Sequence, residues 1–386
     1  MAFTPFHLEQ WQSEYEQTVK YNLADSGVQP VSLREILEDD AAHKRLMDLP
    51  VHYPPVNGTP GLRRAIAALY GANADNVLVT VGASEANAIT LHALLKPGDH
   101  ITVMEPGYRQ LWGMAHNLGC VVNAYNLRAD QGWRLDLDEL EASVTPSTKL
   151  IGVTNPNNPT GKILTSAEMD RIVAVAAKHG CWILADEVYR GSERLTDVET
   201  PSFFGRYDRL VLVNSTSKAY GLSGLRIGWV VAPAQAIDDI WRRHEYAVIS
   251  AGALDMLVAE LALTDPNRTS LIARTRKFIR EGYSRLDSWV KENSSLLSIV
   301  PPQSTALAFV NYKLDIDSVT VGHAIREAGV LVAPGKYFGV EHHLRITHGL
   351  NAEYLGQALS IVSSVLQQIQ SGQRKSAGRA PETVAG

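Results

Sequence analysis

The stretch Ser215-Thr216-Ser217-Lys218-Ala219-Tyr220-Gly221-Leu222-Ser223-Gly224-Leu225-Arg226-Ile227-Gly228 joins two short apolar runs, 210–214 and 226–231. Hydroxyl side chains lead into Lys218, glycines follow it, and Arg226 closes the string. A lysine amine in a desolvated or positively charged pocket has a lowered pKa and becomes a good imine former. So constrained a string argues against a lysine that is merely solvated in a loop.

Outward from this stretch, short β-rich apolar runs alternate with helical segments. Strands are expected at 76–81, 100–104, 149–154, 181–185, 210–214 and 226–231, and a helix at 166–179. Several runs are apolar nearly throughout, as in strands covered on both faces. The alternation predicts an α/β fold whose large domain is built on a mostly parallel sheet. A long charged periodic stretch at 266–293 reads as one helix leading out of that domain. The segments 306–312, 323–328, 344–346 and 355–367 then describe a smaller α+β domain. We expect residues 45–285 to form the large domain. Residues 1–44 and 286–372 should form the small domain with an N-terminal active-site cover, and 373–386, polar and aperiodic, a disordered tail.

A chain of 386 residues suits two domains, and 45% hydrophobic with 20% charged residues is ordinary for a globular protein. A net charge of −5 gives no electrostatic reason to expect nucleic acid or an anionic membrane as partner. No apolar run approaches the roughly 20 residues of a membrane span. The start, MAFTPFHLEQWQSEYEQ, lacks the basic and apolar regions of a signal peptide. Cys120 and Cys181 show no metal-ligand spacing and read as free thiols, so a cytoplasmic location is expected.

Ligands in open α/β sheets bind beyond the carboxyl ends of the strands. Three further strings occupy such places. In Val81-Gly82-Ala83-Ser84-Glu85-Ala86-Asn87 a strand gives way to a helix whose first N–H groups suit a phosphate, although a plain strand-to-helix turn would read the same. Asn155-Pro156-Asn157-Asn158-Pro159-Thr160-Gly161 makes a rigid turn that presents the Asn158 amide. In Ala185-Asp186-Glu187-Val188-Tyr189 a carboxylate ends an apolar strand, a costly position unless it meets a cation or caps a helix.

These four strings resemble those of the aspartate aminotransferase-like superfamily, the fold type I enzymes of pyridoxal 5′-phosphate (PLP) in the class I/II aminotransferase family. The resemblance runs from about Tyr53 to Gly349. It implies that Lys218 holds the cofactor as a Schiff base and shuttles the proton. Asp186 would pair with the pyridine nitrogen, Asn158 and Tyr189 would bond the phenolic oxygen, and Tyr108 would stack on the ring. Ala83, Ser84, Ser215, Ser217 and Arg226 would hold the phosphate. The segment from His52-Tyr53-Pro54-Pro55 to Pro60-Gly61-Leu62-Arg63 is similar to one whose tyrosine reaches the neighbouring subunit's phosphate, which implies a homodimer with shared active sites. Arg345, in Leu344-Arg345-Ile346, would grip the substrate α-carboxylate, a bidentate task that suits a guanidinium.

The N-terminal segment bears on the reaction. Leu8-Glu9-Gln10-Trp11, Tyr15, Asp25-Ser26-Gly27-Val28 and Glu35-Ile36 resemble the pattern of capreomycidine synthase-like cyclases, which act on hydroxylated arginines. Lys218-Ala219-Tyr220-Gly221-Leu222 and the Val332-to-Gly339 stretch point the same way, whereas Tyr189 is the ordinary aminotransferase choice at its position. A guanidinium substrate needs carboxylates rather than a second arginine. Glu9 and Asp25, with Ser26 and Gly27, lie on the segment expected to cover the substrate. Glu9 as a helix-surface residue and Asp25 as a turn former remain the plain alternatives, and Arg109 and Arg190 remain open as readers of a dicarboxylate. Two activities follow: cyclisation of a hydroxylated arginine-like amino acid with loss of hydroxide, or transfer of an amino group from an L-amino acid to a 2-oxo acid.

Overall fold

The computed structural model describes residues 3–373. The expected disordered tail therefore lies, from residue 374 onward, outside the described residues. An eight-stranded sheet organises the larger part of the chain. Across it run Val77–Val81, Ile227–Val231, Leu210–Ser215, Trp182–Asp186, Thr148–Thr154, His100–Glu105, Val121–Arg128 and Arg134–Leu135. The central pairings, from Leu210–Ser215 across to Val121–Arg128, are parallel, and the two edges are closed by antiparallel pairs. The mostly parallel α/β sheet expected from the alternation is what forms.

Both faces of this sheet are covered, which is why its strands read as unbroken apolar runs. Leu78, Val211, Val213 and Val230 pack in a core with residues of the helices Gly82–Leu94 and Ala234–Ala247. Their strand neighbours Val79, Leu212, Trp229 and Val231 point the other way, into a core shared with helices Pro60–Ala68 and Ala253–Leu263. The two-residue period of a strand sorts the side chains between the two cores. The helix Ser166–His179 has the predicted bounds because Thr165 and Glu168 form a capping box at one end and Gly180 takes a left-handed conformation (φ 67°) at the other.

Two elements depart from the sequence reading. Val121–Arg128 is a full strand that the apolar-run criterion passed over, because its residues alternate between buried, half-buried and exposed. Arg226, expected to begin a strand, sits just outside it with φ 52°.

The helix Asn267–Glu292 links the large sheet to a four-stranded antiparallel sheet of Leu297–Ile299, Leu307–Tyr312, His343–Thr347 and Ala333–Pro334. Helices Ser318–Glu327 and Ala352–Gln370 share its core. The N-terminal chain joins this smaller layer: Tyr21–Asn22 pairs in parallel with Val330–Leu331, and Thr347 donates its backbone N–H to the Leu23 carbonyl at 2.9 Å. These bonds carry residues 24–27 across the carboxyl ends of the parallel strands, where Asp186 and Ser215 end their own strands.

Candidate active site

The strand ends and the N-terminal chain enclose a cavity of about 360 Å³. Lys218 is the lysine among its lining residues, and the walls include Ala83, Ser84, Tyr108, Asn158, Asp186, Tyr189, Ser215, Ser217 and Arg226. Glu9, Asp25 and Ser26 line it from the N-terminal side. Residues from four separate strings and the N-terminal segment thus converge on one place.

Lys218 is half-buried, and its Nζ donates to Ser26 Oγ at 2.6 Å. Burial lowers its pKa most; the Asp25 and Glu9 carboxylates oppose that shift, while Arg345 and Arg226 reinforce it. The amine is therefore more readily neutral than a solvated lysine. Asp186 receives two obligate donors: Asn87 Nδ2 at 3.1 Å on Oδ2, and the Val188 N–H at 3.2 Å on Oδ1. Burial raises its pKa, and those two bonds and the Lys218 charge pull it back. It caps no helix.

On the opposite wall Asn158 Nδ2 donates to Tyr189 OH at 3.3 Å, and burial pushes the Tyr189 phenol well above its ordinary range. Asn158 Oδ1 accepts from Arg345 Nη1 at 3.2 Å, and Arg345 Nη2 donates to the Ala24 carbonyl. Arg345 is wholly buried, and its Nε has no partner among the described residues. Burial lowers its pKa, opposed by Tyr189, Asp25, Glu9 and Tyr108.

Close approach builds the end of the cavity near Arg226. The helix Gly82–Leu94 begins at the cavity wall, with Gly82 at φ +73°. A Cβ on Gly82 would lie 2.5 Å from Arg226 Nη2, and one on Gly228 would lie 2.3 Å from the Gly82 carbonyl carbon. Only glycine at both positions lets the guanidinium, the helix start and the strand after Arg226 come together. Arg226 Nη1 donates to the Ser223 carbonyl at 3.1 Å, and the Ser217 N–H donates to Ser215 Oγ at 3.2 Å. A helix N-terminus, an arginine and two serine hydroxyls form a cradle for a phosphate dianion.

The helix His7–Tyr15 closes the open side. It is held by Trp11, 3% exposed, whose Nε1 donates to the Val332 carbonyl at 2.9 Å, and by Tyr108 OH, which donates to Glu9 Oε1 at 2.7 Å. Asp25 is both a turn former and a cavity residue: its Oδ1 accepts the Gly27 N–H at 3.1 Å while its side chain lines the wall. Gly27 itself contributes a carbonyl to Thr347 Oγ1 at 3.1 Å and does not line the cavity. Arg109 and Arg190 are occupied elsewhere, by Glu105 at 2.9 Å and Glu199 at 3.3 Å. Tyr53 stays outside the cavity and is 81% exposed.

Asn87 and Gln110 belong to the same wall and were not singled out from sequence. Asn87 closes the Val81-to-Asn87 string on the helix Gly82–Leu94, and that placement was the available signal.

A family model described as aminotransferase class I and II matches residues 40–362. The chain belongs to this family. Capreomycidine synthase of Streptomyces vinaceus is 28% identical over 96% of both chains. A probable aspartate aminotransferase of Methanocaldococcus jannaschii is 26% identical over 85% of this chain and 89% of its own. The solved structure of a PLP-dependent aminotransferase from Streptococcus suis 89-1591 superposes with a TM-score of 0.89 at 32% identity, covering 95% of this chain and 99% of that one. The protein is a class I/II aminotransferase-family enzyme of fold type I, and its cofactor is PLP. The cavity fits that group: a phosphate cradle at one end, a lysine amine on the wall, and a buried carboxylate with acceptor capacity left over.

Sodium borohydride treatment of the cofactor-loaded enzyme should therefore fix a pyridoxyl label on the peptide carrying Lys218, identified by mass spectrometry. A label on any other lysine would contradict the assignment.

Proposed function

We propose that this enzyme removes hydroxide from a hydroxylated, arginine-like amino acid and closes a ring, a reading supported by its similarity to the capreomycidine synthase of Streptomyces vinaceus. The observation that carries the reading is the sorting of charge around Lys218. The buried Arg345 suits a carboxylate, and the mouth of the cavity carries the carboxylates of Glu9 and Asp25. A cationic side chain meets opposite charge there, whereas a second carboxylate would meet repulsion.

When bound, PLP supplies an electron sink for the pair left at the substrate α-carbon. Arg345 would orient the amino acid by its carboxylate, in exchange for the bonds it makes to Asn158 and Ala24. Lys218 Nζ, its pKa lowered by burial, would take the α-proton. The Asp186 carboxylate would hold a proton on the ring nitrogen, and Asn158 with Tyr189 would bond the phenolic oxygen. Ala83, Ser84, Ser215, Ser217 and Arg226 would anchor the phosphate, and Tyr108, tied to Glu9, would lie against the ring. In the net reaction a C–H bond at the α-carbon breaks and later re-forms. A C–O bond breaks with hydroxide leaving as water, and a guanidine nitrogen gives up a proton as it bonds to the carbon that lost oxygen. No oxidant or amino acceptor is consumed.

Transamination is the second reading, favoured by Tyr189 and by the aspartate aminotransferase relative. We also propose a homodimer in which Tyr53 completes the partner's phosphate site. Its side chain is exposed and outside its own cavity, in a chain that also exposes Met47, Val51 and Tyr246.

Two experiments test these readings. Among arginine, lysine, glutamate and leucine, arginine should perturb the bound cofactor's absorbance at the lowest concentration. Glu9→Gln and Asp25→Asn should each weaken that response about tenfold, because each removes a charge-assisted bond at a partly solvated site. A preference for glutamate or leucine returns the enzyme to the transaminase reading. Separately, mixing Lys218→Ala with Tyr53→Ala subunits should restore part of the activity, since one of the two sites in the heterodimer is intact. Demonstrated subunit exchange without restoration would exclude a shared site.

A further inference from the structure

Asp186 is reached by a chain of amides that the reaction scheme above does not use. It begins at the Ser84 carbonyl, which can only accept. Gln110 Nε2 donates to it at 2.9 Å. The Gln110 amide is thereby oriented, and its Oε1 faces Asn87 Nδ2 at 3.1 Å. That contact requires the nitrogen of Asn87 on this side, and the same nitrogen donates its second hydrogen to Asp186 Oδ2, also at 3.1 Å. The flipped amide would set Asn87 Oδ1 against two acceptor oxygens at once. The orientation has a cost: Asn87 is 2% exposed, and its Oδ1 has no partner among the described residues. A fixed backbone carbonyl thus dictates, two side chains away, that a donor points at Asp186.

The other carboxylate oxygen has an equally fixed neighbour, because the Val188 N–H can only donate to Oδ1. Both oxygens of Asp186 are therefore met by groups that bond the ionised form. Hydrogen bonds of this kind favour the charged carboxylate over the acid, against the pull of burial.

We infer that Asn87, locked by Gln110 and the Ser84 carbonyl, is a positioning residue that holds Asp186 as an acceptor, so that the proton between Asp186 and the cofactor stays on the ring nitrogen. The inference rests on Asp186 facing that nitrogen. Asn87 stands in the cavity wall, and its proposed role is exercised through Asp186. Gln110 matters only as the group that prevents the Asn87 amide from turning over.

The test uses the enzyme loaded with PLP labelled with nitrogen-15 in the ring, whose chemical shift separates protonated from unprotonated pyridine. Asn87→Leu keeps the side-chain size and removes the donor. Gln110→Leu, at a half-buried position, keeps Asn87 and releases its amide. Asp186→Asn serves as the reference for a lost carboxylate. The unsubstituted enzyme should give the protonated shift. Asn87→Leu should bind PLP within about threefold of the normal affinity, as the phosphate cradle is untouched, yet move the signal toward the unprotonated position. Gln110→Leu should move it part of the way. Protonated signals in both leucine variants, with Asp186→Asn unprotonated, would overturn the inference and leave Asp186 in its role. An unmoved signal in Asp186→Asn would remove the role of Asp186 itself, and the inference with it. Should Asn87→Leu fail to fold, Asn87→Ala, which also removes the donor, is read in its place.

Discussion

Setting Lys218 and Asp186 into one cavity, with the wholly buried Arg345 behind its Asn158 wall, is the constraint from which the rest of the site follows. Each is a group that loses much by leaving water, and among the described residues none has an ion-pair partner in contact. The fold offsets this with fixed dipoles and shared neighbours. Asp186 takes an amide and a backbone N–H, Arg345 takes an amide oxygen and a carbonyl, and Lys218 takes a serine hydroxyl. Such arrangements are stable only if the supporting atoms cannot move, which explains why the site is built on the ends of a sheet packed on both faces.

The N-terminal segment supplies the other half of the arrangement. Its helix is pinned by Trp11 to the smaller layer and by Glu9 to Tyr108 of the large one, so it spans both. Ser26 reaches Lys218 from this segment, and Ala24 reaches Arg345. A chain carrying Glu9, Asp25 and Ser26 therefore touches the groups that would handle the substrate's amine, carboxylate and side chain. On the proposed function this segment would set specificity, while the strand ends would carry the chemistry common to the family.

The parts of the site that were legible in sequence are those where one short string holds both the element change and the functional residue. Asp186 ends a strand and Lys218 follows one by three residues, each inside a recognisable motif, and the alternation of apolar runs described the sheet well. Asn87 was hidden because its meaning depends on Gln110 and Asp186, which lie far away in the chain and meet it only after folding. The strand Val121–Arg128 was hidden because its burial is mixed, so no apolar run marks it. Asp25 was read as either a turn former or a substrate group, and the structure gives it both a turn contact and a cavity position, which no spacing argument separates.

On the proposed function, Arg345 meets the substrate's carboxylate while Glu9 and Asp25 meet its cationic side chain. A crystal structure of the Lys218→Ala enzyme with PLP and L-arginine tests it directly. The account predicts the α-carboxylate within hydrogen-bond distance of Arg345 and the guanidinium against Glu9 or Asp25. A guanidinium turned to solvent, or a carboxylate held by a cation other than Arg345, would contradict it.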